Sequence, residues 1–306
     1  MSVALAMITK NSASRVGPSI FRRVLQSSLQ VPYNVMIIVN DGNDKTRSII
    51  KEFANEYDKE LIITRSPTHK STRAIARQTA INAFLRNTSN EWLFFLDDDA
   101  ILKPGWWKVS SKFMSDQTIG EIWGINWDLD SRRKEYVELL GDSYKEYLIR
   151  AFQIRGGTHD TLYRREAIKD VVIPHWLHVY EDAWLHHYVN CKGWKSAINE
   201  VGVIHIGSPI GTGFWSDVQK TIIKYRLLLR YGMDTDERVK ITIKNSQAVR
   251  LRYSIQWYGM MYGTIRYLIY LLYGPIRKIF YALSKLSDSI NCDIILQESK
   301  CECGRW

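Results

Sequence analysis

Cysteine is scarce, with four in 306 residues, which argues against a disulfide scaffold and for a reducing compartment. No signal peptide is expected either. The apolar start Met1–Ile8 has no basic leader and is cut short by Thr9-Lys10-Asn11, so it reads as a first strand. Internal repeats and low-complexity tracts are absent, and a hydrophobic content of 45% excludes a disordered chain. Acids are in deficit, 32 Asp and Glu against 42 Lys and Arg, leaving a net charge of +10. Such a balance calls for a polyanionic partner: nucleic acid, nucleotide phosphates or an anionic membrane surface. Between Arg250 and Lys285 acids disappear altogether.

Where acids do occur they are concentrated. Trp92 to Leu96 is an unbroken apolar run of strand length, and Asp97, Asp98 and Asp99 follow it directly. A strand without polar alternation is buried on both faces, as in a parallel sheet. The carboxyl ends of such strands open into the ligand crevice. Three adjacent carboxylates repel one another, so their company implies a compensating positive charge. A divalent cation bound through oxygen, with phosphates completing its shell, supplies it.

The flanking sequence alternates. Val3–Ile8, Val35–Val39 and Leu61–Thr64 read as strands, with Thr9–Pro18 a polar loop. Ile20–Leu29, Thr46–Tyr57 and a segment from a Ser71 cap to Arg86 read as helices. Pro104 starts a further helix, Trp106–Met114. This alternation predicts a parallel sheet wrapped by helices. Later, Ile122–Trp127 and Val201–Ile206 read as strands and Glu135–Phe152 as a helix, with another from Glu181 to near Gly193. Gly156-Gly157 opens a short segment, Thr158–Tyr163, and Gly207–Gly213 is a glycine-rich loop. Composition changes beyond Phe214, which suggests an α/β domain over residues 1–213 and a helical, basic and aromatic region over 214–306.

Taken in order, Ile8-Thr9-Lys10-Asn11, Asp41-Gly42, Asp97-Asp98-Asp99, Pro104-Gly105-Trp106-Trp107 and Glu181-Asp182 form a pattern. It resembles the inverting family 2 glycosyltransferases across residues 2–210. The resemblance implies the GT-A fold: α/β, a mostly parallel sheet flanked by helices, here with a C-terminal helical extension. It implies a UDP- or GDP-linked nucleoside diphosphate sugar as donor, with Mn²⁺ or Mg²⁺ as cofactor. Asp99 becomes the direct metal ligand, and His205 reaches the metal or diphosphate. Asp97 faces the ribose or sugar, and Asp98 is counted with it among the nucleotide-sugar-binding residues, although alternation along the strand would turn it to the opposite face. Asp41 accepts hydrogen bonds from the base, Thr9 and Asn11 lie in the first nucleotide loop, and Arg73 and Arg77 stand near the nucleotide. Asp182 takes the place of the general base, with Glu181 next in line, and Trp184 offers an aromatic face to the acceptor sugar.

Each assignment has a structural alternative. Asp41 before Gly42 suits an Asx-turn, and Arg73 and Arg77 suit solvated helix charges. Acids are common in the first turn of a helix, which weighs on Glu181 and Asp182. Trp184 suits a core, and His205 a satisfied strand histidine. The pairs His175/His178 and His186/His187 read as structural, and Cys191, Cys292, Cys301 and Cys303 fall short of a zinc tetrad. Two rival functions remain: a nucleotidyltransferase, and a non-catalytic membrane-bound carbohydrate-binding protein. Thr9–Pro18 has one glycine, Gly17, which is poor for the first rival, and retention of both acidic motifs is poor for the second.

The C-terminal region carries Arg250, Arg252, Arg266, Arg277, Lys278 and Lys285 among Tyr253, Trp257, Tyr258, Tyr262, Tyr267, Tyr270, Tyr273, Phe280 and Tyr281. Gly274-Pro275 splits it, and neither piece has the roughly 20 apolar residues of a membrane span. Basic and aromatic helices of this kind fit the interface, on anionic lipid; the alternative is an ordinary helical subdomain that packs its aromatics on the catalytic domain or on a second subunit. The expectation is a cytoplasmic enzyme, peripheral on the cytoplasmic face of a membrane, with a lipid-linked or other glycan acceptor. Nucleotide phosphates and lipid then account for the basic charge without nucleic acid.

Overall fold

The computed structural model describes residues 1–68, 71–126, 140–206, 214–233 and 290–301, with 251, 260–261, 263–265 and 267–268 between them. Two compact units are formed. The first comprises residues 1–127, 156–208 and 292–306, the second residues 128–155 and 209–291. The division is not the single cut after residue 213 that composition suggested, because the C-terminal residues return to the first unit.

The first unit is built on β1 (Val3–Thr9), which is buried through almost its whole length. After it comes α1 (Ser12–Val16), where the sequence suggested only a polar loop. The missing signal lies elsewhere in the chain. Ala13 N donates to Thr46 Oγ1 at 2.9 Å and Ser14 N to Asp44 Oδ2 at 2.8 Å, so the first turn is capped by a segment some thirty residues on. Next is α2 (Pro18–Ser28), which starts on its proline and buries Phe21, Val24 and Leu25. Then follow β2 (Tyr33–Asn40), α3 (Thr46–Glu56), β3 (Glu60–Thr64), α4 (Arg73–Asn87) and β4 (Trp92–Leu96). Thr72, not Ser71, caps α4, accepting from Ile75 N at 3.2 Å. The Ser71 hydroxyl goes to Asp41 instead.

The chain continues through β5 (Ala100–Leu102), α5 (Trp106–Met114) and β6 (Ile119–Asn126). In the second unit lie α6 (Tyr144–Arg155) and, later, α9 (Phe214–Tyr231). Between these two stretches the first unit adds β7 (Asp160–Arg164), α7 (Arg165–Ile168), α8 (Glu181–Cys191) and β8 (Lys195–His205), and it closes with α10 (Cys292–Cys301). The sheet order is β3-β2-β1-β4-β7-β6-β8-β5. Strands β1 to β4 pair in parallel, as does β6 with β8. Antiparallel β7 is wedged between β4 and β6, and β5 runs antiparallel to β8. The result is an α/β structure with a mostly parallel sheet flanked by helices.

One expectation is corrected at the cysteines. Cys191, ending α8, is bonded to Cys292, starting α10, with an S–S distance of 2.07 Å and a sequence separation of 101. Because α10 packs on α8, the two thiols meet in space, and no local spacing reveals it. The helix expected over 135–152 falls partly on 127–139, outside the described residues, as do the glycine loop at 207–213 and most of the basic aromatic stretch at 250–285. No helix among the described residues is long and apolar enough to cross a membrane.

Candidate active site

Chain direction makes the site. From β1 the chain passes to β2 on one side, whereas β4 pairs on the other side of β1. Such a switch opens a crevice at the carboxyl ends of the strands. Asp97 follows β4 there. Asp99 precedes β5, and the β5–β8 register sets Ala100 opposite His205, so Asp99 meets the histidine. His205 Nε2 lies 3.1 Å from Asp99 Oδ1. Asp97, Asp99 and His205 each offer one ligand atom, all within 4.8 Å of one another. Two carboxylate oxygens and an imidazole nitrogen suit Mn²⁺ or Mg²⁺, and the nitrogen favours Mn²⁺.

The third carboxylate of the triplet turns to the scaffold. Asp98 is buried and accepts hydrogen bonds from the Ser12 hydroxyl and from Arg15, both on α1. Arg15 also donates to Asp99 Oδ2 at 2.8 Å. Burial pushes the Asp98 carboxyl up against the pull of Arg15. At Asp99 burial also opposes the charge, but His205 and Arg15 outweigh it and hold the carboxyl far below its ordinary range. Two neighbours are thus separated by their environments, one anchoring a helix and one held as an ionised carboxylate in the candidate cluster. Placing Asp98 on the nucleotide is corrected by these contacts. Arg15 was not picked out in the sequence, since a basic residue in a polar loop carries no mark of a partner 84 residues away.

Arg77 joins the two acidic motifs. Buried on α4, it donates from Nε to Glu181 Oε1 and from Nη2 to Asp97 Oδ1, both at 3.1 Å. Glu181 is buried in turn, and burial raises its carboxyl against the pull of Arg77. Asp182 is only half-buried, and its Oδ1 accepts from Ala183 N at 2.9 Å in the first turn of α8. Trp184 is fully buried, with its indole N–H donating to Val172 O at 3.1 Å. It has no face to offer an acceptor, so that expectation is corrected; the apolar side of α8 needs a core residue there.

Asp41 sits between β2 and the segment before α4. Its carboxylate accepts from Ser66 N at 2.8 Å, Ser66 Oγ at 2.6 Å and the Ser71 hydroxyl. Thr9 is buried, and its carbonyl accepts from Asp41 N at 3.0 Å. Asn11, in the left-handed region at φ 54°, accepts from Asn43 N at 3.0 Å. A Cβ at Gly42 would stand 2.5 Å from Asn11 N, so only glycine lets these two loops meet. Arg73, by contrast, is exposed at the start of α4. His159, which the sequence reading passed over, also lies at this edge of the sheet: its carbonyl accepts from Asp97 N at 2.9 Å.

Residues 5–172 match the model of the family described as Glycosyl transferase family 2. The chain belongs to glycosyl transferase family 2. The matched span takes in Asp41 and Asp97 to Asp99 and ends before Glu181 and His205. Among solved structures, this glycosyltransferase is similar to residues 1–349 of TarS from S. aureus, with a TM-score of 0.54 at 14% identity over 85% of this chain and 73% of that one. The same protein in complex with UDP-GlcNAc gives 0.53 at 15% identity, over 83% and 71%. A mannosyltransferase from Pyrobaculum calidifontis, in complex with GDP-Man and Mn²⁺, gives 0.52 at 14% identity, over 99% and 88%. At such identities the likeness is one of fold, and the fold is GT-A. No curated protein sequence matches the chain. Family membership decides for glycosyl transfer over both rival functions.

Proposed function

We propose that this glycosyltransferase is metal-dependent and inverting, and that it moves a sugar from a UDP- or GDP-linked donor to a membrane-proximal or lipid-linked acceptor. The observation that carries the reading is the Arg77 bridge. It ties Asp97 of the candidate metal cluster to Glu181, and so sets Asp182 beside the same crevice. Asp97, Asp99 and His205 would hold Mn²⁺ or Mg²⁺. When bound, the cation neutralises the diphosphate leaving group as a Lewis acid. The base of the nucleotide lies against Asp41, with Thr9 and Asn11 shaping the loop and Arg73 open to the phosphates. Asp182 takes the acceptor proton from the face opposite the leaving group, which is the geometry inversion requires. Glu181 and Arg77 position it.

The donor class draws support from fold relatives solved with UDP-GlcNAc and with GDP-Man and Mn²⁺. Membrane association draws support from exposed apolar side chains in the second unit, Met260 at 78% and Met261 at 79% exposed, within a basic and aromatic sequence. Incubating the full chain with a panel of UDP- and GDP-sugars tests the reaction. Cation-dependent hydrolysis or transfer, abolished by a chelator, is expected. Turnover that persists in the chelator removes the metal from the reading, and a product of retained anomeric configuration removes inversion.

A further inference from the structure

One pair of side chains at the edge of the site has no place in that scheme. His159 immediately precedes β7 and Asp160 begins it; the strand runs antiparallel to β4 with Asp160 opposite Leu96. His159 is thereby level with Asp97, joined to it by the backbone hydrogen bond. Asp160 is completely buried. It accepts from Trp106 Nε1 at 2.7 Å, and its other oxygen engages His159 Nδ1. The seat is cut for this carboxylate: a Cβ at Gly124 would stand 1.7 Å from Asp160 Oδ2 and 2.8 Å from Trp106 Nε1.

Burying a carboxylate is costly unless it is paired, and an apolar side chain would fill the same space more cheaply. What the carboxylate adds is a fixed imidazole. With Nδ1 engaged by Asp160, the ring is fixed and Nε2 is the atom left for other partners. The His159 ring centroid is 6.3 Å from that of His205 and 5.4 Å from that of Trp123, and the side chain is 15% exposed. It is therefore beside the cluster of Asp97, Asp99 and His205 without being one of the three.

Charge decides what it meets there. Of the arginines described at the site, Arg15 is committed to Asp98 and Asp99 and Arg77 to Asp97 and Glu181, while Arg73 stands exposed at the start of α4. A diphosphate arriving with a cation needs further N–H donors next to the ligand cluster. We infer that His159, held by Asp160, is a diphosphate-binding residue, donating from Nε2 to a phosphate oxygen of the donor. The inference rests on the nucleotide-sugar reading above.

Calorimetric titration of the full chain with UDP and GDP, each with Mn²⁺, tests it, alongside UMP and GMP with Mn²⁺ and Mn²⁺ alone. His159→Leu should weaken the better-bound diphosphate by about 10-fold or more, the worth of a charged hydrogen bond. It should leave Mn²⁺ alone and the monophosphate near wild-type affinity. Asp160→Asn should shift the diphosphate in the same direction by less. His159→Gln, which keeps the size and one donor, should recover part of the loss, and it serves as the measurement if His159→Leu melts well below the wild type. Unchanged diphosphate affinity in both His159 variants overturns the inference. So does an equal loss of affinity for Mn²⁺ alone, which would make His159 a metal ligand. A wild-type chain that binds neither diphosphate overturns the nucleotide-sugar reading itself, and this one with it.

Discussion

Asp182 and Glu181 are adjacent acids in opposite situations, one half-buried and one sealed against Arg77. The contrast favours Asp182 over Glu181 for the proposed role of proton acceptor. Asp182→Asn keeps the shape and removes the function, so turnover should fall by about 10² to 10⁴ while donor affinity, measured by titration, is retained. Near-normal turnover would move the base to another residue. Asp99→Ala removes the ligand shared by His205 and Arg15, and Mn²⁺-dependent binding of UDP or GDP should be lost with it. Away from the site, burial pushes the Tyr33 phenol up to about 12, against a hydrogen bond shared with Ser28. A pKa raised in the folded state gives stability that is complete below the unfolded value near 10 and fades as pH climbs to about 12. Wild type should therefore lose about 2 kcal/mol more than Tyr33→Phe between pH 9 and 12 in urea unfolding. Parallel losses would show that the phenol is not the titrating group. The acids proposed for these roles could be picked out because strand ends and helix starts are local patterns. Arg15, the Arg77 bridge and His159 were not, since each depends on partners that only the tertiary fold brings close.

At the scale of elements, the alternating first half could be read because each strand and helix there carries its own hydrophobic period. The insertion of β7 between β4 and β6 could not. Its five residues are buried throughout, and nothing local distinguishes an antiparallel wedge from a further parallel strand. The same holds for α1, whose first-turn amides are capped by Asp44 and Thr46, and for α10. Returning from the second unit, α10 is fastened to the C-terminal end of α8, the helix whose first turn holds Glu181 and Asp182. Closing a loop of 101 residues restricts the unfolded chain, and a bond of this span contributes about 2 to 4 kcal/mol. Cys191→Ser with Cys292→Ser, or treatment with reductant, should lower the urea midpoint by a corresponding amount. If oxidised and reduced protein unfold at the same midpoint, the packing of α10 on α8 suffices without the bond.

The whole molecule is basic, at +10, and its charge is unevenly spread, with no acid between Arg250 and Lys285. Nucleotide phosphates account for positive groups near the crevice but not for a basic run interleaved with tyrosine and tryptophan in the second unit. Ile222 and Leu229 on α9 are 62% and 51% exposed, and Met260, Met261, Ile265 and Leu268 add to the apolar surface. An interface of anionic headgroups and acyl chains would satisfy both features at once, with the basic groups on phosphate and the apolar groups below. Removing everything after residue 214 is a poor test, since it would also strip α10 and its bond from the first unit. Placing acids on the apolar surface of the intact chain is cleaner. The wild type should float with vesicles containing phosphatidylserine, and less of it at high salt, because surface attraction is screened beyond a Debye length of about 10 Å at 0.1 M. Met260→Glu with Met261→Glu should stay largely in the soluble fraction while hydrolysing the donor at the wild-type rate. If the wild type itself remains soluble with those vesicles at low salt, the exposed apolar groups serve another protein surface, and the acceptor need not be carried on a lipid.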